Sequence, residues 1–89
     1  PSSEFDRILF EISQQLELLK LYREQVATTQ QSLNLLFSAY SNSGQDFEDV
    51  LTMQQKLLQY EKMMAQAVAK YHTAVARLDY ITAKNTENE

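Results

Sequence analysis

Tyr40-Ser41-Asn42-Ser43-Gly44-Gln45-Asp46-Phe47-Glu48-Asp49-Val50-Leu51 interrupts an otherwise unbroken helical pattern near the middle of the chain. It contains the only glycine, preceded by Ser-Asn-Ser and followed by three carboxylates between positions 46 and 49. Glycine reaches positive φ without a Cβ clash, so it suits the position just past a helix end. Serine and asparagine bond to nearby backbone and compete with helix continuation, which makes Asn42, Ser43 and Gly44 the expected turn. Asp46 is then placed to cap a second helix, with Glu48 and Asp49 at the positive end of its dipole.

On both sides of this turn the apolar residues recur every seven positions. Before it run Phe5, Ile12, Leu19, Val26, Leu33 and Tyr40, with Ile8, Tyr22 and Leu36 as companions and Leu9, Leu16 and Phe37 one step further round. After it run Val50, Leu57, Met64, Tyr71 and Leu78, followed three residues later by Met53, Tyr60, Ala67, Ala74 and Ile81. A sustained heptad of this kind is a coiled-coil seam. The spacing predicts helix 1 over about 3–41, a turn over 41–45, helix 2 over about 46–84 and a polar, frayed tail over 85–89. Ser3 is the expected N-cap of helix 1, with Asp6 completing a capping-box-like pair. Each helix would hold about 38 residues and run about 57 Å.

A connection this short makes the helices antiparallel neighbours. Folding about the turn opposes residues whose numbers sum to about 87, so that Tyr40 meets Phe47, Leu19 meets Val68 and Leu9 meets Leu78. The expected fold is all-α: one long antiparallel two-helix coiled-coil hairpin. It leaves some apolar residues unexplained. Leu21 and Leu35 lie about 200° round the helix from the seam. Phe10, Leu18, Leu51, Leu58, Met63 and Tyr80 also fall off the stripe, among small residues such as Ala27, Ala65 and Ala69. Scattered surface apolar residues are common. A second helix-packing face, marked by Leu21, Leu35, Leu58 and Tyr80, gives them a shared role and predicts self-association of the isolated chain.

Composition removes several functions. The 89 residues suffice for one small domain, and the net charge of −4 with scattered Lys and Arg argues against a nucleic-acid surface. Cysteine is absent, so no disulfide or thiolate metal site exists. No apolar run is long enough to span a bilayer, and no signal peptide is visible; an exported parent would make this chain a mature piece. His72, the only histidine, has no second ligand at helical spacing and reads as a surface residue. Met53, Met63 and Met64 read as seam packing rather than soft-metal ligands, and Tyr22, Tyr60 and Tyr71 as core with hydroxyls reaching an edge. The sequence holds no Cys–His pair, phosphate loop or paired carboxylates in a pocket. The chain reads as a non-enzyme, with no catalytic residue, cofactor or metal.

Taken in order, the motifs resemble a known family. Leu21-Tyr22-Arg23, Gln30-Gln31-Ser32-Leu33, Ala39-Tyr40, Gly44, Asp46-Phe47, Asp49-Val50-Leu51, Gln54-Gln55-Lys56-Leu57-Leu58 and Ala74-Val75-Ala76-Arg77-Leu78 are similar to the TolC-like outer-membrane efflux proteins. The branch is that of heavy-metal and multidrug pumps of the resistance-nodulation-division class, and the likeness covers Ile8 to Ile81. It implies a fragment of a larger homotrimer whose helical hairpins close a periplasmic α-barrel, this chain being the hairpin of the second half. The location implied is the Gram-negative outer membrane, with this segment in the periplasm and not itself spanning a membrane. The tip (Tyr40, Gly44, Gln45, Asp46 and Asp49) would narrow the duct and dock a periplasmic adaptor protein, with an inner-membrane pump completing the complex.

Three residues separate Tyr40 from Gly44 where family members more often have two. Gln45 stands where some carry a basic residue, so a salt-bridged tip is not expected. Threefold symmetry would multiply Asp46 and Asp49 into a cation-selecting ring; helix capping and dipole complementarity explain the same carboxylates without a pore. Two alternatives stay open: a soluble coiled-coil interaction module, and the hairpin of a periplasmic adaptor. The latter is expected to carry an Arg-Leu-Ser-type tip and flanking lipoyl-like β-segments, and this chain has neither.

Overall fold

A computed structural model of the chain describes residues 2–87. Two helices account for nearly all of it: α1, Ser2–Ser43, and α2, Phe47–Glu87, joined by Gly44, Gln45 and Asp46. They lie against each other as an antiparallel hairpin measuring 71 × 14 × 14 Å. Among the described residues there is no strand, and no helix is long and apolar enough to cross a membrane.

The helix ends differ from expectation for local reasons. α1 begins at Ser2, which puts Ser3 inside the helix rather than at its N-cap; Pro1 lies outside the described residues. At the other end Asn42 and Ser43 stay helical instead of forming the turn. Ser43 Oγ donates to the Ala39 carbonyl at 2.9 Å, so the hydroxyl follows the helix rather than competing with it. The tail does the same: Thr86 Oγ1 donates to the Thr82 carbonyl at 2.9 Å, and α2 continues through Asn85 and Thr86. Asn88 and Glu89 lie outside the described residues.

The register agrees with the folding-over rule. Tyr40 and Phe47 stack with ring centroids 5.3 Å apart and planes tilted by 42°. Far down the hairpin Arg77 Nη1 lies 3.8 Å from Glu11 Oε2. The two pairs sum to 87 and 88, so the helices run the full length without slipping. The ion pair is solvent-exposed, so it reports the register more than it stabilises it.

Burial is confined to a narrow line. Ile8 (2 %), Val50 (3 %), Ala67 (2 %) and Ala74 (1 %) form the apolar core, joined by Gln15 (8 %) and Thr29 (6 %). In α1 the deepest positions are therefore the companion line, Ile8, Gln15 and Thr29. The line that begins at Phe5 is only half-buried, and Phe5 itself is exposed. Beside the seam a small cavity of about 80 Å³ opens between Gln15, Leu18, Tyr22, Met63, Gln66, Ala67 and Lys70.

The seam has two unlike flanks. In an antiparallel pair, positions following the seam on one helix face the equivalent positions of the other. Glu11, Leu18 and Gln25 thus share one flank with Met63, Lys70 and Arg77, as the Glu11–Arg77 pair demonstrates. We call it the basic flank, since Lys56, Lys70, Arg77 and Lys84 fall on one seven-residue repeat along it, broken only by Met63. The other flank carries Leu9, Leu16 and Phe37 from α1 and Leu58, Val68 and Val75 from α2. Leu33, Phe37 and Gln54 line one groove there, and Leu33, Gln54, Leu57 and Leu58 line the next. This is the apolar flank.

Gln15 has a consequence for stability. Its buried Oε1 has no hydrogen-bond partner in the structure, and an unsatisfied buried acceptor costs about 1–3 kcal/mol. Gln15→Met keeps the side-chain length and removes the orphan, so it should stabilise the hairpin by about 1 kcal/mol. The urea midpoint should rise with an unchanged slope; a fall would show that the amide is satisfied.

Candidate functional site: the tip and the flanks

The tip is built from three backbone devices. Gly44 takes φ +73° and donates its N–H to the Tyr40 carbonyl at 2.6 Å. That single bond from the residue after the helix to the carbonyl four residues before it is the αL C-cap. Gln45 N–H then donates to Ser43 Oγ at 3.2 Å. Asp46 carries φ +66°, the one positive value at a non-glycine residue among those described, and its carbonyl accepts from Val50 N–H at 3.2 Å. Two left-handed residues bracketing Gln45 reverse the chain in three residues.

Asp46 therefore occupies the cap position expected of it but not with the expected bond. An N-cap side chain reaches the first free N–H groups from extended backbone. Asp46 is in the left-handed region instead, and among the described residues no backbone N–H donates to its carboxylate. Glu48 and Asp49 fall in the first turn of α2, where their charge favours the dipole. Gln45, Asp46 and Asp49 are exposed, whereas Tyr40 is half-buried against Phe47. Tyr40 thus props the tip from within, and the surface that a partner would meet is Gly44, Gln45, Asp46 and Asp49.

The four residues expected to form a second packing face are exposed, Leu35 and Leu58 the most (74 % and 67 %). They do not share one side. Leu58 lies on the apolar flank, beside Leu33 and Leu57. By heptad position Leu21, Leu35 and Tyr80 lie on the opposite side, beyond the basic flank, Leu21 next to Glu17, Lys20 and Glu24. Below the tip, an open groove of about 530 Å³ runs between Leu33, Phe37 and Gln54 towards Ser41 and Asn42. The sequence reading did not single it out, although Phe37, one step off the seam, was its signal.

His72 is exposed and meets Tyr71 edge-on, ring centroids 5.4 Å apart. Among the described residues no three His, Asp or Glu side chains are grouped to hold a metal ion. Met53 and Met64 are half-buried on the seam, and Met63 is half-buried on the basic flank beside it.

The turn geometry separates two neighbouring positions. A Cβ on Gly44 would meet nothing within 4 Å, so substitution there strains only the backbone. Gly44→Val should destabilise by about 1–2 kcal/mol. Asp46→Gly should act oppositely, relieving left-handed strain at a residue with a Cβ by up to about 1 kcal/mol. Chemical denaturation of the two variants checks the pair; a loss on Asp46→Gly would mean that the carboxylate contributes more than the backbone loses.

Comparison with known protein families, with characterised proteins and with solved structures finds no match to this chain.

Proposed function

We propose that this hairpin is the periplasmic segment of a trimeric outer-membrane efflux duct, exporting metals or drugs together with a periplasmic adaptor and an inner-membrane pump. The reading rests on the ordered motifs from Ile8 to Ile81 that resemble the TolC-like family. The observation that supports it best is the placement of apolar residues on both sides of the seam. Leu9, Leu16, Phe37 and Leu58 lie on one side, and Leu21, Leu35 and Tyr80 beyond the other. A hairpin in a closed ring of helices has a neighbour on each side, and both sets would then be covered. In this role the protein performs no bond chemistry: the helices wall a water-filled passage, and the exposed tip carboxylates set its charge.

Asp49 is the residue on which the duct reading can be tested. Three copies around an axis would place three carboxylates at the narrowest point, where a ring of like charge selects cations. Removing Asp49 takes away at most a dipole contribution of about 0.3–1 kcal/mol per hairpin, so folding should barely change. The experiment is a graft: residues 8–81 replace the second-half hairpin of a working efflux duct. The graft should restore resistance in a strain lacking its own duct. Asp49→Ala in that graft should change cation conductance in a planar bilayer by about twofold or more, since local charge concentrates counter-ions. A graft that assembles but supports neither resistance nor conductance would refute the duct reading. Unchanged selectivity in Asp49→Ala would reduce Asp49 to a helix-start residue.

A soluble coiled-coil interaction module is the second reading. The concentration of exposed apolar residues on the apolar flank favours it, because such a module needs only one side covered.

A further inference from the structure

The apolar flank is the larger uncovered surface of the hairpin, and its charges say what fits it. Leu9, Leu16, Val68 and Val75 occupy its lower half; Phe37, Leu51 and Leu58 occupy the half near the tip. Between them stand Arg23 and Glu61, one from each helix and both exposed. Neither forms an ion pair within the chain: among the described residues the only one is Arg77–Glu11, on the other flank. Because opposed residues sum to about 87, Arg23 and Glu61 stand within one helical turn of the same level. Unpaired opposite charges at the centre of an apolar strip are self-complementary under one arrangement only.

We infer that in the isolated 89-residue chain this flank is covered by a second copy lying parallel to the first, tips together, about a twofold axis along the hairpin. That operation sets α1 of one copy over α2 of the other at equal height. Arg23 then faces Glu61 of the other copy, twice by symmetry. Leu9 faces Val75, Leu16 faces Val68 and Phe37 faces Leu51, apolar against apolar at these three levels. The antiparallel alternative lays α1 over α1 and brings Arg23 towards its own symmetry mate, a like-charge contact. The basic flank is a poorer seat, since closing it would desolvate Lys56 and Lys70 with no carboxylate facing them. Size allows the contact: the whole face of the hairpin, 71 Å by 14 Å, projects to roughly 1,000 Å², so a contact along most of its length reaches the ~800 Å² per partner of a standard stable interface. The inference is independent of the duct reading, because it concerns the chain by itself.

Sedimentation at about 100 μM, well above the dissociation constant of an ordinary stable dimer, should give twice the monomer mass. A nitroxide on Gln45→Cys should report tip-to-tip distances of roughly 15–30 Å, the helix spacing plus the label arms. An antiparallel dimer would separate the labels by most of the 71 Å length. Glu61→Arg and Arg23→Glu should each weaken the dimer about tenfold, and the double variant should return to within about threefold of the parent. Leu35→Gln, off this flank, should leave it unchanged. Helicity by circular dichroism shows that each variant is folded, and the label distance tests the geometry without any charge change. A monomer, a trimer, a long label distance, a charge reversal without effect or a weakened Leu35→Gln dimer would each overturn the inference.

Discussion

Two helices can share only one line of contact, and everything else in this molecule follows from that limit. A rod 14 Å across has no interior beyond the seam, so burial is confined to a few positions such as Ile8, Val50, Ala67 and Ala74. A side chain one step off the seam already loses half its cover, as Leu9, Leu16 and Phe37 do. Small residues mark the closest approach in α2, and the larger residues spread outwards to the flanks. The polar residues on the deepest line of α1, Gln15 and Thr29, interrupt the apolar seam. A polar residue at a seam position lowers stability while discouraging other registers. That trade fits a hairpin whose two well-separated reporters, Tyr40–Phe47 and Glu11–Arg77, agree on one register.

The tip answers a different constraint, the reversal of direction in three residues. Gly44 meets it at no steric cost; Asp46 meets it with a Cβ in the left-handed region. Aspartate tolerates that conformation better than most residues. The observed conformation turns the Asp46 carboxylate away from a capping role and leaves it exposed beside Asp49. The carboxylates most easily explained by helix formation are thus only partly used by it. Asp49 serves the dipole of α2, while Asp46 makes no cap bond.

The seam, the turn glycine and the register were legible in the sequence because each depends on a periodicity or on a residue with a single steric advantage. The seven-residue repeat requires a coiled coil, and the short connection fixes its direction. The helix ends were less legible. Serine at position 43 has two local options, competing with the helix or bonding back into it, and only the neighbouring Ala39 carbonyl decides between them. The sequence also could not tell which of two adjacent apolar lines goes deepest. That is decided by how the two helices are rotated about their axes, which the seven-residue repeat leaves open between neighbouring lines. The tip carboxylates were legible as a cluster, whereas the left-handed backbone at Asp46, which sets how they are used, was not: aspartate suits both an extended N-cap and a left-handed turn residue, so its identity does not choose between them.

The expected second face divides between two sides, and that division separates what the isolated chain needs from what a larger assembly would need. The apolar flank can be closed by one symmetric contact, because its central charges are of opposite sign and its apolar residues match by height. The side bearing Leu21, Leu35 and Tyr80 cannot be closed in the same way. Lys56, Lys70 and Arg77 stand between it and the seam, and Glu11 answers only Arg77. Covering that side calls for a different surface, one that supplies carboxylates or leaves room for the lysine stems to reach water. A ring of hairpins offers unlike contacts on the two sides of each member, as heterologous packing requires. A twofold dimer offers one. The asymmetry between the flanks is therefore the property that a ring would use and a dimer would leave half idle.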